Sequence, residues 1–193
     1  MDRDTYFYEL GDRLQPDELR YVQKAYWLVK QGHRGQFRRL TGERYFEHVR
    51  RVSFSAIAFG YGDVDTLTLG LLHDTIEDTY VPQDILVGLF GQTMYEWILK
   101  LSKDLPVFHP ICGKVMAKAK VPDDVYYPAL AVADIHPRIV KSLDRLDNVA
   151  DLARWDTQRR EKYIRETVNL VLPIVKNTDT RIAEMIEQRL RTN

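Results

Sequence analysis

The sequence predicts an all-α fold, one helical bundle in a single domain, on three observations. Apolar residues recur at helical spacing along most of the chain, as in Leu19, Val22, Ala25, Tyr26 and Val29. Period-two alternation, the mark of a half-buried strand, is nearly absent. Proline, glycine and aspartate punctuate the chain where helices would start and stop. An apolar content of 45% in 193 residues is enough for one sizeable core. One domain is expected over 1–193, with its core over about 17–176 and a tail helix over 179–193.

Taken in order, 16–31 reads as a helix that starts at Pro16 and stops near Gly32. The stretch 35–45, GQFRRLTGERY, reads as a loop, and 45–59 as a second helix. Asp63 suits the N-cap of a third helix running to about Thr79. Pro82 and Gly91 bracket a short fourth, and YEWILKL belongs to a fifth. Residues 103–128 hold Pro106, Pro110, Pro122 and Pro128, and read as a loop or partly helical excursion of the kind that often serves as a lid. Pro137 opens a helix through Trp155; 159–176 forms another, with Pro173 near its end; 179–191 reads as an exposed last helix.

Lys plus Arg number 28 and Asp plus Glu 28, so no global charge argues for nucleic acid or an anionic membrane, and any anion site must be local. No stretch reaches the length of a membrane-spanning helix, and MDRDTYFYEL shows no signal-peptide pattern. A single cysteine, Cys112, leaves no disulfide within the chain and suits a reducing compartment. These features together lead us to expect a cytoplasmic protein.

LLHDTIEDT, 71–79, sets His73, Asp74, Glu77 and Asp78 at the edge of an apolar run. On a helix, His73 and Glu77 lie one turn apart, as do Asp74 and Asp78. The converging acceptors need a counter-charge, which a divalent cation supplies; a solvated acidic helix end with a core histidine is the plainer reading. In KSLDRLDNVADLA, 141–153, the side bearing Lys141, Asp144, Asn148 and Asp151 opposes an apolar stripe. That side is either a wet helix face or a row of short ligands, since Asp and Asn are poor helix-interior formers. His48 in YFEHVRRV is a third donor. Two imidazoles with carboxylates suit Mn²⁺, Fe²⁺ or Zn²⁺ better than Ca²⁺ or Mg²⁺.

The order HxGQ, Y-x-x-H, LLHDxxEDT and K-x-x-DR-x-x-N resembles the HD-domain phosphohydrolases, and more narrowly the guanosine tetraphosphate (ppGpp) hydrolase domain of RelA/SpoT-type proteins. The resemblance runs from about Tyr21 to Pro173. It implies a single HD-domain bundle that hydrolyses the 3′-pyrophosphate of ppGpp, pppGpp or a closely related alarmone. It implies one metal, usually Mn²⁺, on His48, His73, Asp74 and Asp144, with Glu77 and Asp78 moving protons at the attacked phosphate. Arg38, Arg39, Lys141, Arg145 and Asn148 would hold the small-molecule nucleotide, Asn148 at the base. The competing expectations are another nucleotide, such as an adenine alarmone, NADPH or a nucleoside monophosphate, or a module that binds without turnover. The complete ligand and acid–base set argues against the last.

The sequence departs from the family at four places. The Gln36–Gly42 loop is one residue longer, Arg44 stands for a proline, Asp147 replaces a His or Tyr, and 103–128 has no counterpart. All four are expected near the substrate rather than the metal. His109 with Cys112 is too few for a zinc site, His33 reads as structural, and Trp97 and Trp155 as core or interface.

Overall fold

The computed structural model describes residues 2–108 and 115–192; His109 and Cys112 lie outside them. Helices dominate, and the described sheet is a single two-stranded hairpin. Helix α1 (Arg3–Gly11), not foreseen in the sequence, buries Tyr6 and Leu10. Helix α2 (Pro16–Gly32) starts with a capping box between Gln15 and Glu18 and buries Val22, Ala25, Tyr26 and Val29. Helix α3 (Tyr45–Ala58) turns His48, Val49, Val52 and Ser53 inward. Helix α4 (Val64–Leu72), capped by the Asp63 carboxylate on the Thr66 amide, is buried along Thr66–Leu72. It is the central rod against which α2, α3 and α8 (Ile135–Val149) pack.

The α3–α4 contact depends on Gly70. A Cβ there would sit 2.7 Å from the Ser53 Cα, so only glycine allows this approach. Ser53 ties the pair further by donating to the Leu67 carbonyl at 2.8 Å.

The third helix is shorter than expected. α4 stops at Leu72, and α5 (Thr75–Asp78) follows, with Asp74 between them at φ −97°, ψ 5°. The apolar periodicity continues across the break because Leu71, Leu72 and Ile76 are all buried, so the pattern conceals it. Helix α6 (Gln83–Leu101) is two helices joined at Gly91, whose φ of 83° is left-handed, so the expected boundary there is real as a kink.

In the described part of 103–128 the partly helical expectation holds only at the end, and the rest is mainly strand. The stretch holds β1 (Asp104–Phe108), paired antiparallel with β2 (Val115–Lys120), and the start of α7 (Asp123–Ala131). Pro106 is tolerated because each strand of a two-stranded ribbon is an edge. Pro122 caps α7 and Pro128 lies within it.

Helix α8 ends at Val149, earlier than expected, and a 3₁₀ turn (Leu152–Arg154) carries the chain to Trp155. Helix α9 (Thr157–Glu166) passes through a π-helical turn (Thr167–Val171) into α10 (Leu172–Lys176). The wide turn comes just before Pro173, which lacks an amide and crowds the carbonyl a turn earlier. Helix α11 (Thr180–Thr192) is not merely exposed: Ile182, Ala183 and Ile186 are buried, and it packs on α8. Among the described residues, no helix is long and apolar enough to cross a membrane.

Candidate metal centre and its cavity

Three helices and the α4–α5 break bring His48, His73, Asp74 and Asp144 together. His73 Nε2 lies 3.0 Å from Asp74 Oδ2 and 3.9 Å from Asp144 Oδ1. His48 Nε2 lies 3.5 and 3.3 Å from the same two oxygens. Ligand atoms sharing one ion at about 2.1 Å stand about 3.0–3.4 Å apart, so the spacing is close to a coordination sphere. His48, His73 and Asp74 form a group of ligand atoms within 4.8 Å of one another. Asp144 stands beside that group and is braced on its other side. Lys141 Nζ donates to its Oδ2 at 3.0 Å, and Asn148 Nδ2 to its Oδ1 at 2.5 Å.

The tautomers follow from the partners. His73 Nδ1 lies 2.8 Å from the Gly70 carbonyl, which can only accept, so Nδ1 carries the proton and Nε2 a lone pair. That Nε2 is buried and has no hydrogen-bond partner among the described residues. It faces Asp74 Oδ2 at 3.0 Å, an arrangement that either a metal ion or a second proton on the ring resolves. His48 is fixed likewise: Nδ1 lies 2.7 Å from Asp147 Oδ2, turning Nε2 toward the cluster. Such carboxylate and carbonyl tethers are how metal-binding imidazoles are held.

Electrostatics agree. Burial opposes every charge here, yet the carboxylates of Asp144, Asp147 and Asp74 raise His48 well above the usual imidazole range. His73 is raised too, chiefly by Asp74. Asp74 and Asp144 are held below the usual carboxylate range by the imidazoles and, for Asp144, by Lys141. The set favours its deprotonated oxygens and collects positive charge.

Glu77 takes a different position. Its Oε1 accepts the backbone amides of Lys103 and, at 3.2 Å, of Asp104, so the foot of the hairpin orients it. Burial and the charge of Asp74 push its carboxyl up. Its carbonyl accepts from Lys118 Nζ on β2. Asp78, also pushed up by desolvation and Asp74, is exposed and is not among the residues lining the cavity.

A cavity of about 520 Å³ opens over the cluster. It is lined by Asp74, Glu77, Asp144 and by all five anticipated substrate contacts: Arg38, Arg39, Lys141, Arg145 and Asn148. Several of these are already engaged. Arg38 Nη1 pairs with Asp147 at 3.1 Å and Asp151 at 3.2 Å, while Nη2 donates to the Asn148 carbonyl oxygen. Asn148 therefore bridges Arg38 and Asp144 with both ends of its amide. Arg145 is buried, pairs with Glu166 at 2.8 Å and stacks over Tyr163 at 4.1 Å.

Sequence reasoning missed three parts of this site. Asp147 was expected near substrate; it grips His48 and pairs with Arg51 at 2.7 Å, so it acts on a ligand-set imidazole. Trp155 lines the cavity, with Arg159 over its ring at 4.2 Å and Tyr163 4.9 Å away. Tyr45 donates to Asp74 Oδ2 at 2.7 Å. Their only signal was position, a turn or less from residues already singled out.

A family model described as an HD domain matches residues 25–179. A guanosine-3′,5′-bis(diphosphate) 3′-pyrophosphohydrolase of Aquifex aeolicus is 30% identical over 161 residues, which are 82% of this chain and 22% of that protein. A GTP pyrophosphokinase rsh of Brucella melitensis is 32% identical over 176 residues, 86% of this chain and 22% of that protein. The chain thus spans under a quarter of the length of these curated relatives. Among solved structures, a metazoan ortholog of SpoT, described as hydrolyzing ppGpp, superposes with a TM-score of 0.70 at 20% identity, covering 89% of this chain and 94% of that one.

Proposed function

The chain belongs to the HD-domain family, and from that premise we propose that it is a metal-dependent phosphohydrolase that removes the 3′-pyrophosphate of ppGpp, pppGpp or a close relative. The observation that carries this reading is the buried, unpartnered Nε2 of His73 facing Asp74, in a set of two tethered imidazoles and two carboxylates. His48, His73, Asp74 and Asp144 would hold the ion, Mn²⁺ by preference. When bound, the ion would lower the pKa of water and offset charge on the phosphoryl group.

The remaining work falls to the chain's own side chains. Glu77, oriented by the hairpin amides and raised toward neutrality, is suited to take a proton from the attacking water and return it to the departing 3′-oxygen. Asp78, at the outer edge, would assist proton exchange with solvent. Lys141, Arg39 and Arg145 supply positive charge around the phosphates. Trp155 and Tyr163 wall the cavity and carry Arg159 and Arg145 over their rings, which holds those two cations beside the substrate space. Asn148 positions Arg38 and Asp144 relative to each other rather than standing open to a base. The relatives' names divide between a hydrolase and a pyrophosphokinase. A buried imidazole–carboxylate set beside a raised glutamate favours hydrolysis. The single cysteine and neutral charge fit a cytoplasmic setting.

The test is a hydrolysis panel with Mn²⁺ against ppGpp, its adenine analogue and NADPH. Release of pyrophosphate from ppGpp, lost in Asp74→Ala and Asp144→Ala together with metal content, is the expected result. Turnover of NADPH alone, or full metal content in both variants, would overturn the reading.

A further inference from the structure

A second pocket, of about 230 Å³, shares Phe37 with the cavity as a wall residue. Its walls include Lys30, Arg34 and Arg44, two aromatic rings, Phe37 and Phe46, and His33, with no acidic residue. Arg34 is exposed, and no hydrogen bond or ion pair of its side chain is found among the described residues. Lys30 Nζ sits over the rings of Trp27, at 4.9 Å, and Tyr26, at 5.7 Å, with no carboxylate partner among the described residues. Arg44 is shared with Glu47 at 2.5 Å.

His33 gives a second, independent sign of a ligand. Gln36 Nε2 donates to the Asp78 carbonyl at 2.6 Å, so its amide oxygen is the atom that meets His33 Nδ1 at 2.7 Å. His33 Nδ1 therefore carries the proton, and Nε2 is a lone-pair acceptor. His33 is 2% exposed and its Nε2 has no partner. The pocket thus combines two cations without a carboxylate partner among the described residues, Lys30 and Arg34, with a lining histidine whose Nε2 is unsatisfied among them. A phosphate oxyanion near neutral pH answers both, with charged oxygens for the guanidinium and ammonium groups and a remaining O–H for Nε2.

The pocket also sits at the foot of the loop that carries Arg38 and Arg39. Phe37 and Arg44 form an isolated antiparallel bridge that closes this loop, and both line the pocket. Of the residues between them, Arg38, Arg39, Leu40 and Thr41 line the large cavity. An anion seated between Arg34 and Arg44 would fix the bridge and, with it, the direction of Arg39, Arg38 being held already by Asp147, Asp151 and Asn148.

We propose that this pocket binds a small phosphate anion, either inorganic pyrophosphate or the terminal phosphates of a nucleotide, and that its occupancy sets the 37–44 loop for substrate. The effect on substrate rests on the proposed hydrolysis; the binding does not.

The test is calorimetric titration of the Mn²⁺-loaded protein with pyrophosphate and, separately, with guanosine diphosphate. Wild type is expected to take up two equivalents of pyrophosphate, one in the cavity and one in the pocket. Arg34→Ala should weaken one of them about tenfold or more, the scale of a charge-assisted contact, and leave the other unchanged. Tighter Arg34-dependent binding of guanosine diphosphate than of pyrophosphate identifies a nucleotide as the source; the reverse identifies the inorganic anion. Unchanged stoichiometry and affinities in Arg34→Ala overturn the pocket. In hydrolysis assays, pyrophosphate should move the KM for ppGpp several-fold less in Arg34→Ala than in wild type, at equal kcat. Equal KM responses overturn the coupling to the loop. Arg34-dependent binding in a protein that turns over no ppGpp would uphold the pocket and sink the hydrolase reading instead.

Discussion

Asp147→Ala removes the one carboxylate that joins a metal-ligand candidate to the substrate loop. In the native chain its Oδ2 accepts from His48 Nδ1 at 2.7 Å and from Arg38 at 3.1 Å, while Oδ1 accepts from Arg51 at 2.7 Å. His48 is 1% exposed, so its Nδ1–H would be left without an acceptor and out of reach of water. An unsatisfied buried donor costs about 1–3 kcal/mol. Loss of the tether on a ligating imidazole weakens metal binding by about 10–100-fold, which is about 1.4–2.8 kcal/mol. The two routes give the same size of effect. Asp147→Asn keeps a neutral acceptor for Nδ1 and should fall between. Arg51→Ala is the control: its side chain is 37% exposed, so losing its ion pairs with Asp147 and Glu43 should cost only about 0–1 kcal/mol each and leave metal affinity nearly untouched. The assay is Mn²⁺ titration calorimetry on the three variants and wild type, with thermal melts to confirm folding. A folded Asp147→Ala with wild-type Mn²⁺ affinity would refute the tether.

Glu77→Gln should keep metal and substrate affinity and lose turnover by about 10²-fold or more. The limb on which wild-type turnover rises with pH should lie above the ordinary carboxylate range, because burial and Asp74 raise Glu77, and near-normal turnover with metal bound would remove Glu77 from the role. Glu166 is raised by burial but brought down overall to about 2 by hydrogen bonds from Arg145 and Tyr127. Its folded pKa is below its unfolded one, so its stabilisation is whole above about pH 4.5, on the order of 2–3 kcal/mol, and is lost as pH falls toward 2. Urea midpoints of Glu166→Gln should therefore depend less on pH across that window than those of wild type, and an equal dependence counts against the pairing. Gly70→Ala places a methyl against the Ser53 backbone and should cost about 1–3 kcal/mol while weakening metal binding, since α3 and α4 must part. A Gly70→Ala melt at the wild-type temperature would show that the contact can relax.

The helices that position the site were legible because each carries one apolar stripe. α2 and α8 announce themselves through Val22, Ala25, Tyr26 and Val29 and through Ile139, Leu143 and Leu146. Periodicity fails where both sides of an element are buried, as at the His73–Asp74 break, since a helix and its interruption then have equally apolar neighbours. It fails differently at the hairpin. VMAKAK in β2 does alternate, but small alanines facing lysines carry little apolar contrast, and Pro106 in β1 argues for a loop. α1 was illegible because Tyr6 and Leu10 are a single turn of contact in an acidic, polar stretch.

Within the site, the residues proposed to meet a cation were legible by type, because few side chains ligate and Asp or Asn inside a helix demands a reason. Residues that only orient others lack that signal. Asp147 looked like a departure at the substrate, yet its place follows from two spacings considered together. On α3, Arg51 stands three residues after His48; on α8, Asp147 stands three after Asp144. The two helices pack against each other, and His48 lies 3.3 Å from Asp144 while Arg51 lies 2.7 Å from Asp147. The cationic side of one helix is thus in step with the acidic side of the other, one turn apart. Arg38 adds a third rung by reaching Asp147, Asp151 and Asn148 from the 37–44 loop. A His or Tyr at position 147 would leave Arg38 to Asp151 and Arg51 to Glu43, with no shared carboxylate joining the two arginines to His48. The acidic residue at 147 and the arginine-bearing loop are therefore one feature. Exchanging Asp147 alone should disturb the loop's grip on substrate as well as the imidazole it holds.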